Sequence, residues 1–290
     1  MAKPRRESRA VVILYDGQIV GERYDAGFSR RRMIGWSMTK SVMATLLAIR
    51  MEEGYLSRTQ THLLPAWRST PGDPRALITL DTLLRASSGL EFGEQYEGYH
   101  DATDMLFLQA DAAAFAAAKP LSFEPDTHWA YSSGTTNMLA SILLRRRALA
   151  AYWSYPRRML FMKLGMRSAV LDTDASGTFV ASSFSYMNAH DWARFGWFYA
   201  QGGVWRGERI LPDWWVRYAT TPTPPAGEYG AQWWLNAGGF ANATDPIEKT
   251  RIYPSCPEDM FSARGYEGQT VNVIPSKKLV IVRLGRLRIV

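Results

Sequence analysis

The stretch Gly35-Trp36-Ser37-Met38-Thr39-Lys40-Ser41-Val42 decides how the rest of this chain is interpreted. Apolar residues follow it at helical spacing, which predicts a helix over 37–53 that Gly54 ends. Because Ser37 and Lys40 are three residues apart on one helix, they share a face and the amine can reach the hydroxyl. A serine hydroxyl is a weak nucleophile until a base accepts its proton. The spacing therefore indicates an activated serine in the Ser-x-x-Lys arrangement of acyl-transfer chemistry.

The same residues also have a purely structural interpretation. Ser37 would cap the helix with its hydroxyl, and Lys40 would lie in solvent. The catalytic interpretation instead uses the partial positive charge of the helix start, which favours a serine alkoxide and a neutral amine. Other parts of the chain must decide between the two.

Composition limits the classes of protein to consider. The chain has 290 residues, of which 47% are hydrophobic, so it can bury a core of one large domain or two intertwined ones. A single cysteine, Cys256, excludes an intramolecular disulfide and a multi-cysteine metal site. The four histidines form no metal-binding motif, and we expect no metal and no organic cofactor.

The net charge of +7 comes mainly from arginine, much of it in short runs. Such runs can bind nucleic acid, but more often they are solvated helix ends or loops. We find no helix-turn-helix, zinc-finger or RNA-binding signature, so we expect no nucleic-acid partner. The runs are Arg5-Arg6, Arg30-Arg31-Arg32, Arg145-Arg146-Arg147 and Arg157-Arg158.

No segment has the length of a membrane helix, which needs about 18 uninterrupted apolar residues. The basic start is followed by no apolar stretch of signal-peptide type. We therefore expect no membrane partner and a cytoplasmic protein, or a periplasmic one if a leader was removed.

Strand patterns stand at both ends of the chain. Residues 10–15 and 18–24 predict a hairpin around Asp16-Gly17, and 231–235, 261–264, 270–274 and 279–284 predict four more strands. Helical patterns fill the middle, at 80–87, 101–119, 135–149, 189–202 and 212–219. This order predicts an α/β (α+β) fold with a sheet built from both termini and an all-helical insertion.

Two further motifs could join Ser37 and Lys40. In Tyr131-Ser132-Ser133-Gly134, at a helix start, Tyr131 could transfer protons as phenol or as phenolate if Lys40 lowers its pKa. In Gly265-Tyr266-Glu267-Gly268-Gln269, glycine lets the backbone approach a ligand. An N–H beside Gly265 could pair with that of Ser37 as an oxyanion hole.

The three motifs, in this order, resemble the serine β-lactamase and penicillin-binding-protein superfamily. Within it they resemble the class C-like branch, which includes esterases and 6-aminohexanoate-dimer hydrolases. The resemblance covers about residues 10–285 and implies a β-lactamase/transpeptidase-like fold, an antiparallel sheet flanked by helices. It implies a sheet domain over 1–55 and 226–290, a mainly helical domain over 56–225, and an active site in the cleft between them. Other family-like stretches are Ser87-Ser88-Gly89-Leu90, Pro125-Asp126, Asp191-Trp192-Ala193-Arg194-Phe195-Gly196 and Tyr229-Gly230.

The resemblance also implies a role for each matching position. Ser37 would be acylated, with Lys40 as its base. Tyr131 would carry the proton to the leaving group and later activate water. Ser133 would stand at the asparagine of the family's Tyr-x-Asn motif, and the N–H groups of Ser37 and Tyr266, beside Gly265, would form the oxyanion hole.

Two departures from the family pattern guide the substrate prediction. Ala263-Arg264-Gly265 replaces Lys-Thr-Gly, and Ser133 replaces an amide, so efficient β-lactam hydrolysis is not expected. We expect a serine hydrolase of small esters or amides that works through a Ser37 acyl-enzyme. The alternatives are a weak β-lactamase or D-amino-acid peptidase-like enzyme, and a catalytically silent penicillin-binding-like receptor. A Ser-His-Asp hydrolase is disfavoured because Gly35-Trp36-Ser37-Met38-Thr39 lacks the last glycine of Gly-x-Ser-x-Gly.

Two expectations concern surfaces. Relatives usually carry a helix before the first strand and another after the last. In this chain the first and last strand patterns lie close to its two ends, so we expect these helices to be missing. An apolar sheet face would then be exposed, which predicts marginal stability or a homo-oligomer. Several aromatic residues near the motifs could line an acyl pocket: Trp36, Tyr99, Trp129, Trp233 and Tyr266.

Overall fold

A computed structural model of the protein describes residues 5–144, 148–224, 227–238 and 251–288. The arginine run at 145–147 and the predicted boundary between residues 225 and 226 lie outside the described residues. The division into two domains at residues 55 and 226 remains a prediction.

The described residues form eleven strands, and six of these build one antiparallel sheet in the order β2-β1-β11-β10-β9-β8. The two N-terminal strands lie beside the four C-terminal strands, with β1 paired to β11, so the sheet is built from both ends of the chain, as predicted. The strands are β1 Arg5–Tyr15, β2 Gln18–Tyr24, β3 Met33–Ile34, β4 Val170–Leu171, β5 Ser185–Met187, β6 Val204–Trp205, β7 Glu208–Arg209, β8 Trp234–Leu235, β9 Phe261–Gly265, β10 Gln269–Ile274 and β11 Leu279–Arg288.

Helices fill most of the middle of the chain. Short 3-10 turns lie at Pro74–Leu77, Tyr266–Gly268 and Pro275–Lys277, and Arg157–Phe161 is a π-helical turn. The α-helices of the described residues are α1 Met38–Glu52, α2 Pro65–Arg68, α3 Leu80–Leu84, α4 Asp101–Phe107, α5 Ala112–Ala117, α6 Ser133–Leu144, α7 Leu149–Pro156, α8 Met162–Leu164, α9 Ala189–Ala200 and α10 Trp215–Ala219. This mixture of helices and antiparallel sheet is the predicted α/β fold.

The predicted single helix over 101–119 is wrong. The structure has α4 and α5 there, separated by a short connection. Asp111 causes the interruption, because its carboxylate accepts a hydrogen bond from the Ala114 N–H at 2.9 Å and so caps a new helix.

One face of the sheet is buried under α9. Side chains alternate along the central strands, so that Val12 of β1 and Val282 of β11, which pair with each other, both point to this face and are fully buried. On the opposite face, Val11, Ile13 and Ile281 are partly exposed beside Asn272 and Arg283. The homo-oligomer that an exposed face would favour remains a prediction.

No helix among the described residues combines the length and the apolar character that crossing a bilayer would require.

The contact between α9 and the sheet depends on Gly196. A Cβ atom at this position would lie 2.6 Å from Val280 Cγ1 and 2.8 Å from Val271 Cγ1, both closer than carbon atoms pack. We expect Gly196→Val to push α9 off the sheet and to lower the free energy of unfolding by about 2 kcal/mol, measured by urea denaturation. The control is Gly21→Val, since a Cβ there would lie 3.8 Å from Ile13 Cδ1. Equal stabilities of the two variants would contradict this account of the contact.

Candidate active site

Ser37 lies at the N-terminal end of α1, and its side chain makes no capping hydrogen bond. The residue before it, Trp36, has a φ of +47°, in the left-handed region that non-glycine residues rarely adopt. Backbone strain of this kind occurs preferentially at functional sites. The Ser37 hydroxyl is therefore not used to hold the helix, which removes the structural interpretation of this serine.

Lys40 is buried, with 1% of its surface exposed. Its Nζ lies 3.0 Å from Ser37 Oγ, 2.9 Å from Ser133 Oγ and 3.2 Å from the Ser182 carbonyl oxygen. An ammonium would donate one hydrogen bond to each of these three oxygens. A neutral amine would donate to Ser133 and Ser182 and direct its lone pair at the Ser37 hydroxyl. The second state is the one a base requires.

Burial favours that neutral state. It lowers the pKa of Lys40 to about 8, because the charged form loses its hydration, while the Glu94 carboxylate opposes the shift by attracting the ammonium. The helix start, to which the sequence analysis assigned this effect, is thus joined by a larger cause, the dry surroundings of the amine. A substantial fraction of Lys40 is neutral near pH 8.

Glu94 and Ser133 extend this hydrogen-bond system behind the amine. The Glu94 carboxylate accepts a hydrogen bond from Ser133 Oγ at 2.5 Å and one from the Ser133 N–H at 2.7 Å, and it also accepts one from the Tyr96 hydroxyl. Ser133 therefore donates its only hydroxyl proton to Glu94, and its oxygen accepts a hydrogen bond from Lys40. The hydroxyl of Ser133 thus lies between Glu94 and Lys40, and its predicted contact with a substrate remains a prediction.

Tyr131 packs beside Lys40, with the amine 4.8 Å from the centre of the ring. Burial, reinforced by Tyr229 and Glu94, raises the pKa of Tyr131 well above 10, although a hydrogen bond with Ser37 lowers it in part. Of the two forms that the sequence left open for Tyr131, this shift favours the phenol, because burial opposes a negative charge on its oxygen. Tyr131 is a neutral phenol in contact with Ser37.

The end of β9 touches the backbone that leads into Ser37. A Cβ at Gly265 would lie 2.4 Å from the Gly35 carbonyl oxygen, so only glycine fits at this position. Next to this contact, Gln269 donates a hydrogen bond from Nε2 to the Ile34 carbonyl oxygen at 2.8 Å. The strand edge at Gly265–Tyr266 and the start of α1 are thereby held in direct contact.

Aromatic rings border the site on two sides. Tyr266 lies 5.8 Å from Trp36 and 5.1 Å from Tyr96, measured between ring centres. On the other side Trp234 lies 5.2 Å from Tyr131, and Trp129 lies 6.2 Å from Trp234.

Two of the aromatic residues predicted for an acyl pocket do not belong there. Trp233 is fully buried in the core, stacked on Phe195 at 5.9 Å. Tyr99 is 91% exposed and makes no ring contact within the described residues. Both were chosen for their proximity in sequence, which does not determine the direction of a side chain.

Arg264 points toward the Tyr131 side of the site. Its guanidinium carbon lies 5.4 Å from the Trp234 ring centre and 5.2 Å from that of Tyr253. Its Nε is buried without a hydrogen-bond partner among the described residues. Burial lowers the pKa of this side chain, against the opposing effect of Tyr253 and Glu228. Strand alternation therefore directs the Arg264 guanidinium toward the rings of Trp129, Tyr131 and Trp234, which we call the aromatic wall.

The sequence analysis missed Glu94 and Tyr96. They lie in a loop after α3 that has no recognisable motif, so only the family-like stretch at 87–90, a few residues earlier, pointed to this region. His190 lies 2.7 Å from the Glu22 carboxylate and 3.0 Å from the Tyr24 hydroxyl, whereas the basic group beside Ser37 is the Lys40 amine.

Comparison with known proteins agrees with this geometry. A 6-aminohexanoate-dimer hydrolase from Paenarthrobacter ureafaciens is 25% identical over 303 aligned residues, which cover 95% of this chain and 71% of that protein. Among solved structures, a candidate 6-aminohexanoate-dimer hydrolase from Bacillus anthracis has a TM-score of 0.77 at 22% identity, covering 97% of this chain and 74% of that one. A family VIII carboxylesterase has a TM-score of 0.67 at 16% identity, covering 97% and 87%.

A family model described as Beta-lactamase matches residues 1–286. The match includes the start of α1, the start of α6 and the end of β9, the three elements that meet around Ser37. This chain belongs to the beta-lactamase family, within the superfamily of serine β-lactamases and penicillin-binding proteins.

Proposed function

We propose that this protein is a serine hydrolase that cleaves small esters or amides through an acyl-enzyme intermediate on Ser37. The observation that carries the proposal is the buried Lys40 amine, 3.0 Å from Ser37 Oγ and with its pKa lowered to about 8. We also propose that the substrate enters a cleft between the sheet domain at 1–55 and 226–290 and the helical domain at 56–225.

Acylation begins with the transfer of the Ser37 proton to neutral Lys40. The Ser37 oxygen attacks the substrate carbonyl carbon, and the carbonyl oxygen becomes an oxyanion. The backbone N–H groups of Ser37 and Tyr266 would stabilise this charge, a contribution supported by the close approach of Gly265 to Gly35. Ser133 and Glu94 keep the amine in place throughout.

Collapse of this intermediate expels the alcohol or amine, which needs a proton. Tyr131 is suited to deliver it, because its hydroxyl is neutral and hydrogen-bonded to Ser37. The phenol donates its proton, and the Lys40 ammonium, which packs against the Tyr131 ring and has carried the Ser37 proton since the first step, is the group that restores it. Deacylation uses Lys40 and Tyr131 in the opposite direction. They accept a proton from a water molecule, the water oxygen attacks the acyl carbon, and Ser37 Oγ leaves and regains its proton.

The substrate class follows from what the site offers. Ser133 is committed to Lys40 and Glu94 and has no amide to bind the side chain of a β-lactam. Arg264 brings a cation to the aromatic wall beside Tyr131, where an acidic group of a substrate could pair with it. A relative named for a linear amide and a structural neighbour named as a carboxylesterase agree with an open-chain ester or amide.

Ser37→Ala provides the primary test. We expect the wild-type protein to hydrolyse p-nitrophenyl butyrate, to hydrolyse nitrocefin only slowly, and to form a fluorophosphonate adduct detected by intact-mass spectrometry. Ser37→Ala should lose the turnover and the adduct, because the other hydroxyl in contact with Lys40, that of Ser133, donates its proton to Glu94. Ser41→Ala serves as control, since Ser41 Oγ donates to the Gln232 carbonyl oxygen and faces away from Lys40.

Other results of this assay exclude the proposal in distinct ways. An adduct without turnover would identify a receptor that acylates and stalls, and fast nitrocefin hydrolysis would identify a β-lactamase. A folded wild type with neither adduct nor turnover would remove Ser37 as a nucleophile.

The pH dependence tests the role of Lys40. The amine acts as base only when neutral, so kcat/KM should rise about tenfold per pH unit below pH 8 and level off above it, following the lowered pKa. We expect Lys40→Ala to lose at least ~100-fold in kcat and to lose this dependence. A rate independent of pH between about pH 6 and pH 9 would show that another group is the base.

Tyr131→Phe tests the proton donor. Removing this hydroxyl should lower kcat by at least ~100-fold and affect poor leaving groups most, because they depend on protonation. The matched control is Tyr229→Phe, at a buried tyrosine whose ring lies 5.6 Å from that of Tyr131. If steady-state rates on butyrate esters were unchanged in Tyr131→Phe, another group would have to protonate the leaving group.

A further inference from the structure

A second cavity, lined largely by basic side chains, lies apart from Ser37. Four separate segments form its walls: residues 30–32 before β3, the stretch 157–168, the start of α9 at 188–194, and the turn at 205–206. Its volume is about 1070 Å³, the size of a pocket that holds a small organic ligand. None of the residues assigned above to the Ser37 site lines it. We call it the basic cavity.

The basic cavity concentrates the positive charge of the protein. Seven lysine or arginine side chains line it and one carboxylate, Asp191, so the surplus of six compares with a net charge of +7 for the whole chain. Four of the seven make no side-chain hydrogen bond or ion pair within the described residues: Arg30, Arg32, Arg167 and Arg206.

The single carboxylate does not neutralise these four. Asp191 is 2% exposed. One of its oxygens accepts hydrogen bonds from the Ser168 N–H at 2.7 Å and the Ser168 hydroxyl at 2.5 Å. The other accepts from Arg194 at 2.8 Å. Its charge is thus used inside the wall, and the four arginines, whose side chains are exposed at the cavity, have no counter-charge among the described residues.

The remaining two cations are anchored in the wall by other contacts. Arg157 donates a hydrogen bond to the Ala169 carbonyl oxygen at 3.0 Å, and Lys163 pairs with Glu208 at 2.6 Å. Arg157 also begins the π-helical turn Arg157–Phe161, a rare geometry that is found frequently at functional sites. Like charges that line one cavity repel one another, and an anion bound among them would relieve that repulsion.

We propose that the basic cavity binds a small anion that carries several phosphate groups. Guanidinium groups hold phosphate oxygens through paired, charge-assisted hydrogen bonds, and four free arginines can engage two or more phosphates at once. The N-terminus of α9, a twelve-residue helix that opens onto the cavity, adds partial positive charge. Trp205, half-buried in the wall, offers an aromatic surface to a ring attached to the phosphates.

The arrangement favours a small ligand over a nucleic acid. A duplex needs a stripe of cations along an extended surface, whereas these side chains come from four segments that enclose one concave site. The charges therefore converge on a volume that a triphosphate group can fill.

Calorimetric titration with inorganic tripolyphosphate, at about 0.15 M salt, tests the proposal. We expect saturable binding to the wild type, weakened at least tenfold in Arg167→Gln/Arg206→Gln, since each substitution removes a charge-assisted contact. The control is Arg23→Gln/Arg217→Gln, which removes the same charge from exposed positions outside the cavity and should bind as the wild type does. Unchanged ester hydrolysis or an unchanged melting temperature would show that the cavity variant is folded.

A parallel titration with ATP separates two sources of the phosphate group. Equal affinity for ATP and tripolyphosphate would support recognition of the phosphates alone. Tighter binding of ATP that is lost in Trp205→Ala would support a nucleotide. Absence of binding by either anion would overturn the proposal, as would equal affinity of the cavity and control variants, or binding of an oligonucleotide but not of tripolyphosphate.

Discussion

The placement of the Lys40 amine in a dry position beside Ser37 is the constraint on which the rest of the site depends. A buried amine is costly unless oxygen atoms surround it, and those oxygens come from α1, from α6 and from the segment that contains Ser182. The three parts of the chain must therefore pack together before the amine can enter the interior. The same burial that makes the position costly supplies the neutral base.

The sheet touches the start of α1 through a backbone contact. Gly265, at the end of β9, lies against the Gly35 carbonyl oxygen, and a side chain at Gly265 would separate the strand from the start of α1. β9 pairs with β10, and β10 with β11, the strands on which α9 packs through Gly196. Fold and site are thus linked by glycine positions more than by any large side chain.

Local sequence signals predicted a large part of this structure. The hairpin around Asp16-Gly17, the helix after Ser37 and the sheet built from both termini follow from turn residues and periodicity. Glu94 could not be predicted in the same way, because its role arises from a contact with Ser133, far along the chain, that leaves no local pattern. Trp233 was misplaced for a related reason: proximity to a motif in sequence says nothing about whether a ring faces the core or a cleft.

The position of β11 affects how this protein can be made. Although it comes last among the described strands, it lies inside the sheet, between β1 and β10. While the chain leaves the ribosome, helices can form by local contacts, but β1 and β10 cannot join until β11 has emerged. Lys40 and Tyr131 should therefore reach their final positions around Ser37 only after β11 has been synthesised. Until then the nascent chain should expose the edges of β1 and β10, which a chaperone can protect.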